Sequence, residues 1–386
     1  MSSQEPAAAP PFAEIAREWG RIGCIGFGGP PVHLALFREL TVTRRAWLTS
    51  TEFEHAVAAT NMLPGPASTQ LAIYCAWRLR GTRGALLGGL CFILPGLIMI
   101  LALAALFLAG SPPLWLRAAG MGAGAAVPAV AVCAGLGVAA PIWASATSSR
   151  RAWVLVYGLI GGLVAASAAP WLLLVLLGCG LAELMRERLA GPMAGAQAWL
   201  MLASAAAPGD GLALAWTALK VGALAFGGGF VIVPLMQTDA VSTYHWMTHA
   251  QFLNAVALGQ VTPGPVTLTV AVVGYAAGGL SAGLLAAVIA FAPSFSFILI
   301  GAARFERLLI DERVIAFLRG AAPCAAGAII GAAVPLTAAL GEGWQYALLA
   351  GAAAALLIFR APVVPVLLLG GALGAGAGLL GAPVIA

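Results

Sequence analysis

Apolar runs long enough to cross a membrane recur along nearly the whole chain. A helix of roughly 17–25 apolar residues spans about 30 Å of hydrocarbon. The 386 residues are 61% hydrophobic and 9% charged, whereas soluble domains carry about 25% charged residues. A single globule cannot bury that much apolar surface, so the solvent has to be lipid. The sequence therefore predicts an all-α integral membrane protein with no soluble domain left over.

Two of the apolar runs contain a proline–glycine–proline break, and both breaks belong to one internal repeat. When the chain is shifted by 199 positions, Phe27–Gly29 aligns with Phe226–Gly228, and Pro64–Pro66 aligns with Pro263–Pro265. Further matches in the same register are Trp47 with Trp246, Phe53 with Phe252 and Gly84 with Gly283. Compositional bias would scatter Ala and Leu matches, but it would not align both motifs and a tryptophan without a gap.

The repeat divides the chain into four segments. We expect a disordered leader over 1–12, a first repeat over 13–188, a linker rich in Gly, Pro and Ala over 189–211, and a second repeat over 212–386. The leader lacks the basic and apolar regions of a signal peptide. About ten transmembrane helices are predicted, at 18–38, 84–109, 117–140, 152–168 and 170–185, then at 212–237, 281–303, 314–338, 344–360 and 362–382.

The basic residues indicate that the two repeats have opposite orientations. In the first repeat, arginines lie on both sides of the break-containing segment, and Lys and Arg favour the cytoplasm. The equivalent loops of the second repeat contain neither, and basic residues appear instead at Arg304, Arg307 and Arg313. This predicts an inverted-topology repeat, as in many secondary transporters. Each break would form a re-entrant helical hairpin, although two full crossings per hairpin remain an alternative.

The breaks predict a binding site for an anion. Proline removes a backbone donor, and irregular backbone survives in hydrocarbon only when it is buried in protein or faces a watery cavity. A helix that restarts after a break directs its free N–H groups and about half a positive charge at the gap. The alternative is that these glycines and prolines serve packing alone.

We expect substrate contacts from the two breaks, from polar residues beside them and from the glycine motifs upstream. These residues are Phe27, Gly28, Gly29, Pro30, Asn61, Pro64, Gly65, Pro66, Ser68 and Thr69, then Phe226, Gly227, Gly228, Gly229, Gln260, Thr262, Pro263, Gly264, Pro265 and Thr267.

Five charged or titratable residues are candidates for electrostatic or coupling roles. Arg21 and Lys220 occupy matching positions, where they either attract an anion or anchor helix ends at the interface. Glu39 and Asp239 are candidate proton-coupling carboxylates, with an exposed interfacial acid as the alternative. His33 lies just after the first glycine motif and could sense or carry a proton.

Other classes of function find little support. HExxH, GxSxG, Walker and paired CxxC motifs are absent, so we predict no enzyme, cofactor or metal site. The six cysteines are interpreted as small hydrophobic residues. The net charge of +5 fits positive-inside loops better than nucleic-acid binding.

Several motifs together resemble the chromate ion transporter family, in its long two-domain form. The first repeat contains FGGP followed by H, LPGPASTQLAIY and GALLGGLCFILPG, and the second contains FGGGFVIVPLM and QVTPGPVTLTVAVVGY. The family signature falls on Phe27, Gly28, Gly29, Pro30, Pro64, Gly65, Pro66, Ser68, Gln70 and Pro95, then on Phe226, Gly227, Gly228, Gly229, Pro234, Thr262, Pro263, Gly264 and Pro265. The stretch YCAWRLRG (74–81) departs from the pattern, which has a glycine after the tyrosine.

The resemblance implies export of chromate across the bacterial inner membrane, driven by the proton motive force and giving chromate resistance. Chromate is a tetrahedral dianion, so sulfate is the expected competitor. Transport of another anion, such as sulfate or an organic acid, remains an alternative, as does a membrane subunit that does not transport. Assembly as a homodimer is left open.

Overall fold

The computed structural model describes residues 10–63, 65–108, 110, 112–167, 169–188, 210–225, 229–301 and 311–384. Every regular element within those residues is helical, which confirms the predicted all-α class. The predicted linker lies outside the described residues except for its last two positions, which begin a helix. Most of the predicted leader also lies outside them, but Pro10 is buried and accepts a hydrogen bond from Arg80 Nε at 2.7 Å.

The first repeat contributes α1 (Phe12–Ile25), α2 (Pro30–Arg38), α3 (Ser50–Met62), α4 (Ala67–Phe107), α5 (Leu114–Ser145), α6 (Ser148–Ser167) and α7 (Leu172–Arg188). A π-helical turn, Glu39–Arg44, follows α2. The backbone of α4 leaves the helical region at Arg80 and Gly81. The helix therefore consists of a short arm (67–79) and a long arm (82–107).

The second repeat contributes α8 (Asp210–Leu224), α9 (Ile232–Gln237), α10 (His249–Val261), α11 (Thr269–Gly301), α12 (Glu312–Gly331), α13 (Ala333–Ala338), α14 (Gly343–Ala353) and α15 (Val363–Leu379). A π-helical turn, Thr238–Thr243, follows α9, and a 3₁₀ turn, Val266–Leu268, precedes α11. The helix α11 bends at Gly278 and Gly279, which separates a short arm (269–277) from a long arm (280–301).

The prediction that 18–38 forms one crossing is wrong, because this segment folds back on itself. The rings of Trp19 and Phe37 lie 5.4 Å apart, and Glu18 Oε2 is 2.6 Å from Arg44 Nη2. The outer ends of α1 and α2 therefore lie at the same end of the bundle.

Two glycines between the helices allow this reversal. Gly28 and Gly29 have φ angles of 106° and 76°, which residues with a Cβ atom rarely adopt. Pro30 then occupies the first position of α2, where its missing N–H group has no consequence.

The predicted crossing 212–237 is wrong in the same way. Asp239, just after α9, lies 2.6 Å from Lys220 Nζ and accepts a hydrogen bond from Thr217 Oγ1 at 2.8 Å, so it contacts α8 twice. Each repeat therefore begins with a helical hairpin where the sequence suggested a single span.

A second hairpin follows in each repeat and contains the proline–glycine–proline break. In the first repeat it joins α3 to the short arm of α4, and an ion pair between Glu52 and Arg78 links its two outer ends. In the second repeat the equivalent hairpin joins α10 to the short arm of α11.

The same local conformations recur at the predicted offset of 199 residues. Capping boxes begin both α3 and α10, formed by Thr49 with Glu52 and by Thr248 with Gln251. The π-helical turn Glu39–Arg44 also recurs at this offset, as Thr238–Thr243.

The offset changes by one residue beyond the breaks, which corrects the alignment of Gly84 with Gly283. The bend at Gly81 corresponds to the bend at Gly279, and the helical Pro95 corresponds to Pro293. A 3₁₀ turn rises about 2.0 Å per residue against about 1.5 Å in an α-helix. Because the short arm of the second repeat starts with a 3₁₀ turn, it covers the same length with one residue fewer.

The long arms of α4 and α11 pack against each other in antiparallel directions. A Cβ atom on Gly89, early in one arm, would lie 2.5 Å from the ring of Phe295, late in the other. A Cβ atom on Gly283 would lie 2.8 Å from Leu101 Cδ2. Related arms of inverted repeats would pack in this way, and the inverted topology itself stays a prediction.

Within the described residues, four helical stretches are long and apolar enough to cross a membrane. They are Ala67–Phe107, Leu114–Ser145, Val266–Gly301 and Glu312–Ala338. Shorter apolar helices, including α8 and α15, pack among them. The α6–α12 contact is formed by glycines, as in many membrane helix pairs: a Cβ atom on Gly327 would collide with the Gly158 carbonyl group, and one on Gly331 with the Gly162 carbonyl group.

We expect Gly327→Ala to destabilise the protein by about 1–3 kcal/mol, because the added methyl group forces α6 and α12 apart. The control is Gly351→Ala in α14, where an added Cβ atom meets no other atom within 4 Å. Thermal unfolding of the purified variants in detergent measures both. Equal melting temperatures would show that the close α6–α12 contact does not contribute to stability.

Candidate anion-binding site

The first break positions the start of the short arm of α4. Gly65 is buried with a φ angle of 121°, and Pro66 is the N-cap residue of the helix. The backbone N–H groups of Thr69 and Gln70 both donate to the Pro66 carbonyl oxygen at 3.0 Å. The two amides before them have no partner within the helix.

Residues of the second repeat close the first break. A Cβ atom placed on Gly65 would lie 2.6 Å from Gln70 Nε2, 3.2 Å from Ser294 Oγ and 3.3 Å from the Gly222 carbonyl oxygen. Ser294 belongs to α11 and Gly222 to α8. The first break is therefore at the interface between the repeats, where only a glycine fits.

The second break packs against the first repeat in return. The N–H group of Gly264 donates to the Gly26 carbonyl oxygen at 3.0 Å, between α1 and α2. His33 Nε2 lies 2.9 Å from the same oxygen. The φ angle of Gly264 is 100°, as the matching position in the first break would suggest.

The upstream glycine motif of the second repeat also reaches this break. A Cβ atom on Gly229 would lie 3.7 Å from Thr267 Oγ1 and 3.9 Å from Thr267 N. Both glycine motifs therefore reach the second break, through Gly26 and Gly229, and a single substrate site formed by all these residues stays a prediction.

Several buried polar atoms beside the breaks have no hydrogen-bond partner among the residues that the structure describes. They are His33 Nδ1, Thr69 Oγ1, Gln260 Nε2, Thr267 Oγ1 and Ser294 Oγ. Each of these side chains is at most 8% exposed. Buried polar groups in proteins nearly always have a partner, and leaving one unsatisfied costs about 1–3 kcal/mol. A ligand that accepts hydrogen bonds would remove this cost for the hydroxyl and amide groups, whereas Nδ1 of a neutral His33 is an acceptor, because Nε2 donates the ring proton to the Gly26 carbonyl oxygen.

The remaining predicted site residues differ in burial and in hydrogen bonding. The hydroxyl group of Thr262 donates its single proton to the Leu258 carbonyl oxygen at 2.7 Å, so Thr262 is not a donor to a ligand in this arrangement. Asn61 is exposed, and Phe27 is 38% exposed. Ser68 and Pro265 are buried at the breaks. Outside the described residues lie Pro64, Phe226, Gly227 and Gly228.

The charged candidates are placed unequally. Lys220 and Asp239 form a largely buried ion pair of 2.6 Å, so neither presents an unpaired charge. Arg21 is exposed and lies 3.8 Å from Glu18, and Glu39 is exposed. His33 is the candidate that the structure places beside a break.

Ser294 was missed by sequence reasoning, because the search was limited to the break motifs and their neighbours. A weak signal existed, since the stretch FAPSFS places two serines within an otherwise apolar run. Only the packing of α11 against α4 shows which of them reaches the break.

Two cavities lie away from the breaks. One, of about 720 Å³, is lined by residues 241–242, 245–249 and 251. The other, of about 370 Å³, lies between α2 and α3 and includes Arg38 and Glu54. Neither is lined by a residue of either break.

Broken helices paired across an interface, with unsatisfied donors around them, define a multi-pass membrane protein of the transporter class. The chain belongs to the chromate transporter family, whose model matches residues 13–184 and 212–375.

Named relatives agree with this assignment. A chromate transport protein of Cupriavidus metallidurans is 30% identical over 92% of this chain and 90% of its own length. One from Pseudomonas aeruginosa is also 30% identical, over 84% of this chain and 81% of its own. An uncharacterized transporter of Methanocaldococcus jannaschii is 25% identical over 78% of each chain. No solved structure matches the chain.

We expect Lys220→Met to destabilise the protein by about 3–5 kcal/mol, because it leaves the Asp239 carboxylate buried without its cation. The double variant Lys220→Met/Asp239→Asn should recover most of that loss. Arg21→Met at the matching exposed position is the control. Thermal unfolding in detergent measures all three, and a stable Lys220→Met variant would show that the pair is not structural.

Proposed function

We propose that this protein exports chromate from the cytoplasm across the bacterial inner membrane, driven by the proton motive force. The observation that carries the proposal is the set of buried, unpartnered donors at the two breaks. Thr69 and Thr267 each lie in the first turns of a helix that restarts inside the bundle, and both side chains are fully buried. The names of the curated relatives supply the choice of chromate.

Donors of this kind suit a doubly charged oxyanion that must also be released. Helix N-termini and hydroxyl groups offer N–H and O–H donors directed at the gap. Lys220, the charged candidate on α8, is already paired with Asp239. A site without a free cation holds the anion through several moderate hydrogen bonds, so the anion can leave when the site opens.

The packing of the breaks supports an alternating-access mechanism. The first break lies against α8 and α11, and the second lies against the turn between α1 and α2. Movement of one repeat relative to the other would change the residues packed against both breaks at the same time. In this arrangement the breaks are closed, and opening toward either side would require the antiparallel long arms to separate.

The proposed orientation in the membrane is supported by the basic end of the first repeat. Arg38, Arg44, Arg78 and Arg80 lie around the outer ends of its two hairpins and pair there with acidic or backbone groups. Lys and Arg favour the cytoplasm, so this end would face inward. His33 would be the proton-responsive residue, since its ring contacts the Gly26 carbonyl oxygen to which Gly264 also donates.

The test is chromate accumulation in everted inner-membrane vesicles that contain the protein. We expect uptake in energised vesicles, its collapse with a protonophore, and inhibition by excess sulfate because the donors recognise any tetrahedral dianion. Vesicles with an empty vector are the control. Absence of uptake with well-inserted protein would contradict chromate export, and uptake of sulfate alone would assign a different anion.

Replacing Gly65 or Gly264 with leucine should abolish uptake while the protein stays in the membrane. Both residues have positive φ angles, and the space around Gly65 is filled. Gly279→Leu is a matched control, since its φ angle is 71° but no atom lies within 4 Å of an added Cβ. Full uptake by both break variants would contradict a substrate site at the breaks.

A further inference from the structure

We propose that Ser294 is a ligand for the transported oxyanion, contributed by the second repeat to the break of the first. The inference rests on the proposed function and deepens it. It makes the two breaks chemically unequal, because only at the first does the opposite repeat contribute a hydroxyl group from its long helix arm.

The Ser294 hydroxyl group is buried inside a helix without a hydrogen-bond partner among the described residues, which is unusual. Ser294 lies within the long arm of α11 and is fully buried. A serine inside a helix often donates to the carbonyl group one turn earlier, but Ser294 Oγ has no partner among the described residues. A ligand that accepts a hydrogen bond from this hydroxyl group would explain why it is buried without a partner in the protein.

The hydroxyl group is directed at the first break. It lies 3.2 Å from the position of a Cβ atom on Gly65, and Gln70 Nε2 lies 2.6 Å from the same position. The hydroxyl group of Thr69, also without a partner in the described part of the chain, belongs to the same helix start. The Gly222 carbonyl oxygen, 3.3 Å from that position, is the acceptor in this group. Donors from two repeats therefore converge on one glycine.

The second break lacks the equivalent donor. With the register set by the bends and helical prolines, the counterpart of Ser294 is Gly96. A Cβ atom on Gly96 would collide with the Pro263 carbonyl group, so no serine fits there. In addition, the N–H group of Gly264 already donates to the Gly26 carbonyl oxygen.

The chemistry of these donors indicates an oxyanion with several acceptor oxygens. A hydroxyl group donates one hydrogen bond, and such a bond is stronger when its acceptor is charged. A chromate or sulfate ion presents four oxygens that different donors can share. Ser294 then raises affinity at the first break without adding a fixed charge.

The experiment compares Ser294→Ala with Ser296→Ala, an exposed serine on the same helix arm. Chromate uptake by everted vesicles gives KM and the maximal rate, and titration calorimetry gives the Kd of purified protein for sulfate. We expect Ser294→Ala to raise both KM and Kd about tenfold, with the maximal rate within about twofold of the wild type. Ser296→Ala should leave all three unchanged. If Ser294→Ala is not monodisperse, Ser294→Cys replaces it, because it keeps the volume and weakens the donor.

The outcomes separate this inference from the proposed export. Uptake by the wild type with unchanged KM and Kd in Ser294→Ala overturns the role of Ser294 and leaves export standing. Sulfate binding that weakens tenfold in Ser294→Ala, in a protein that moves no chromate, supports the site and overturns export. No binding of sulfate or chromate by the wild type overturns both.

Discussion

Backbone polar groups inside hydrocarbon must have partners, and the rest of this structure depends on that constraint. The chain interrupts its helices at four glycine-containing motifs, in a protein whose surroundings are lipid. It buries the two proline–glycine–proline breaks against the other repeat, as Gly65 lies against Gly222 and Gly264 donates to Gly26, whereas Gly28 in the first glycine motif is exposed. Each break is thus covered by protein of the other repeat. The anion site that we propose uses the same arrangement that makes the breaks tolerable.

The two repeats share a backbone arrangement but differ in the side chains placed on it. Near the outer ends of the first hairpins, the first repeat places an acid on α1 and bases beyond α2, as in the pair Glu18–Arg44, whereas the second repeat pairs Lys220 on α8 with Asp239 beyond α9. Both pairs hold the hairpin closed, with the charges exchanged. An interaction with a purely structural role tolerates such an exchange, because only the attraction matters. The breaks differ in another way, since the Ser294 hydroxyl group faces one and Gly96 faces the other, and we propose that this difference alters how each break binds a ligand.

Sequence reasoning identified the helical class, the family and the two motif sets, because each depends on composition or on short patterns that survive duplication. It failed for 18–38 and 212–237, where an apolar run of spanning length was interpreted as one crossing. Hydropathy measures the apolar content of a segment. It does not detect a reversal of the chain at two glycines with positive φ angles. The gap-free alignment failed beyond the breaks for a related reason: a 3₁₀ turn covers with three residues what an α-helix covers with four, and no residue pattern marked that change.

The sequence by itself determined that this chain is a duplicated helical membrane protein of the chromate transporter family, with a proline–glycine–proline break in each repeat. These properties follow from apolar content, from helix-breaking residues and from the repetition of motifs, all of which are local. Only the tertiary structure decided which groups meet at the breaks. Thr262 bonds to its own helix, Lys220 is neutralised by Asp239, and Ser294 arrives at Gly65 from more than two hundred residues away. Hydrogen bonding and packing across the interface between the repeats select those partners, and such contacts depend on positions in space that spacing along the chain does not encode.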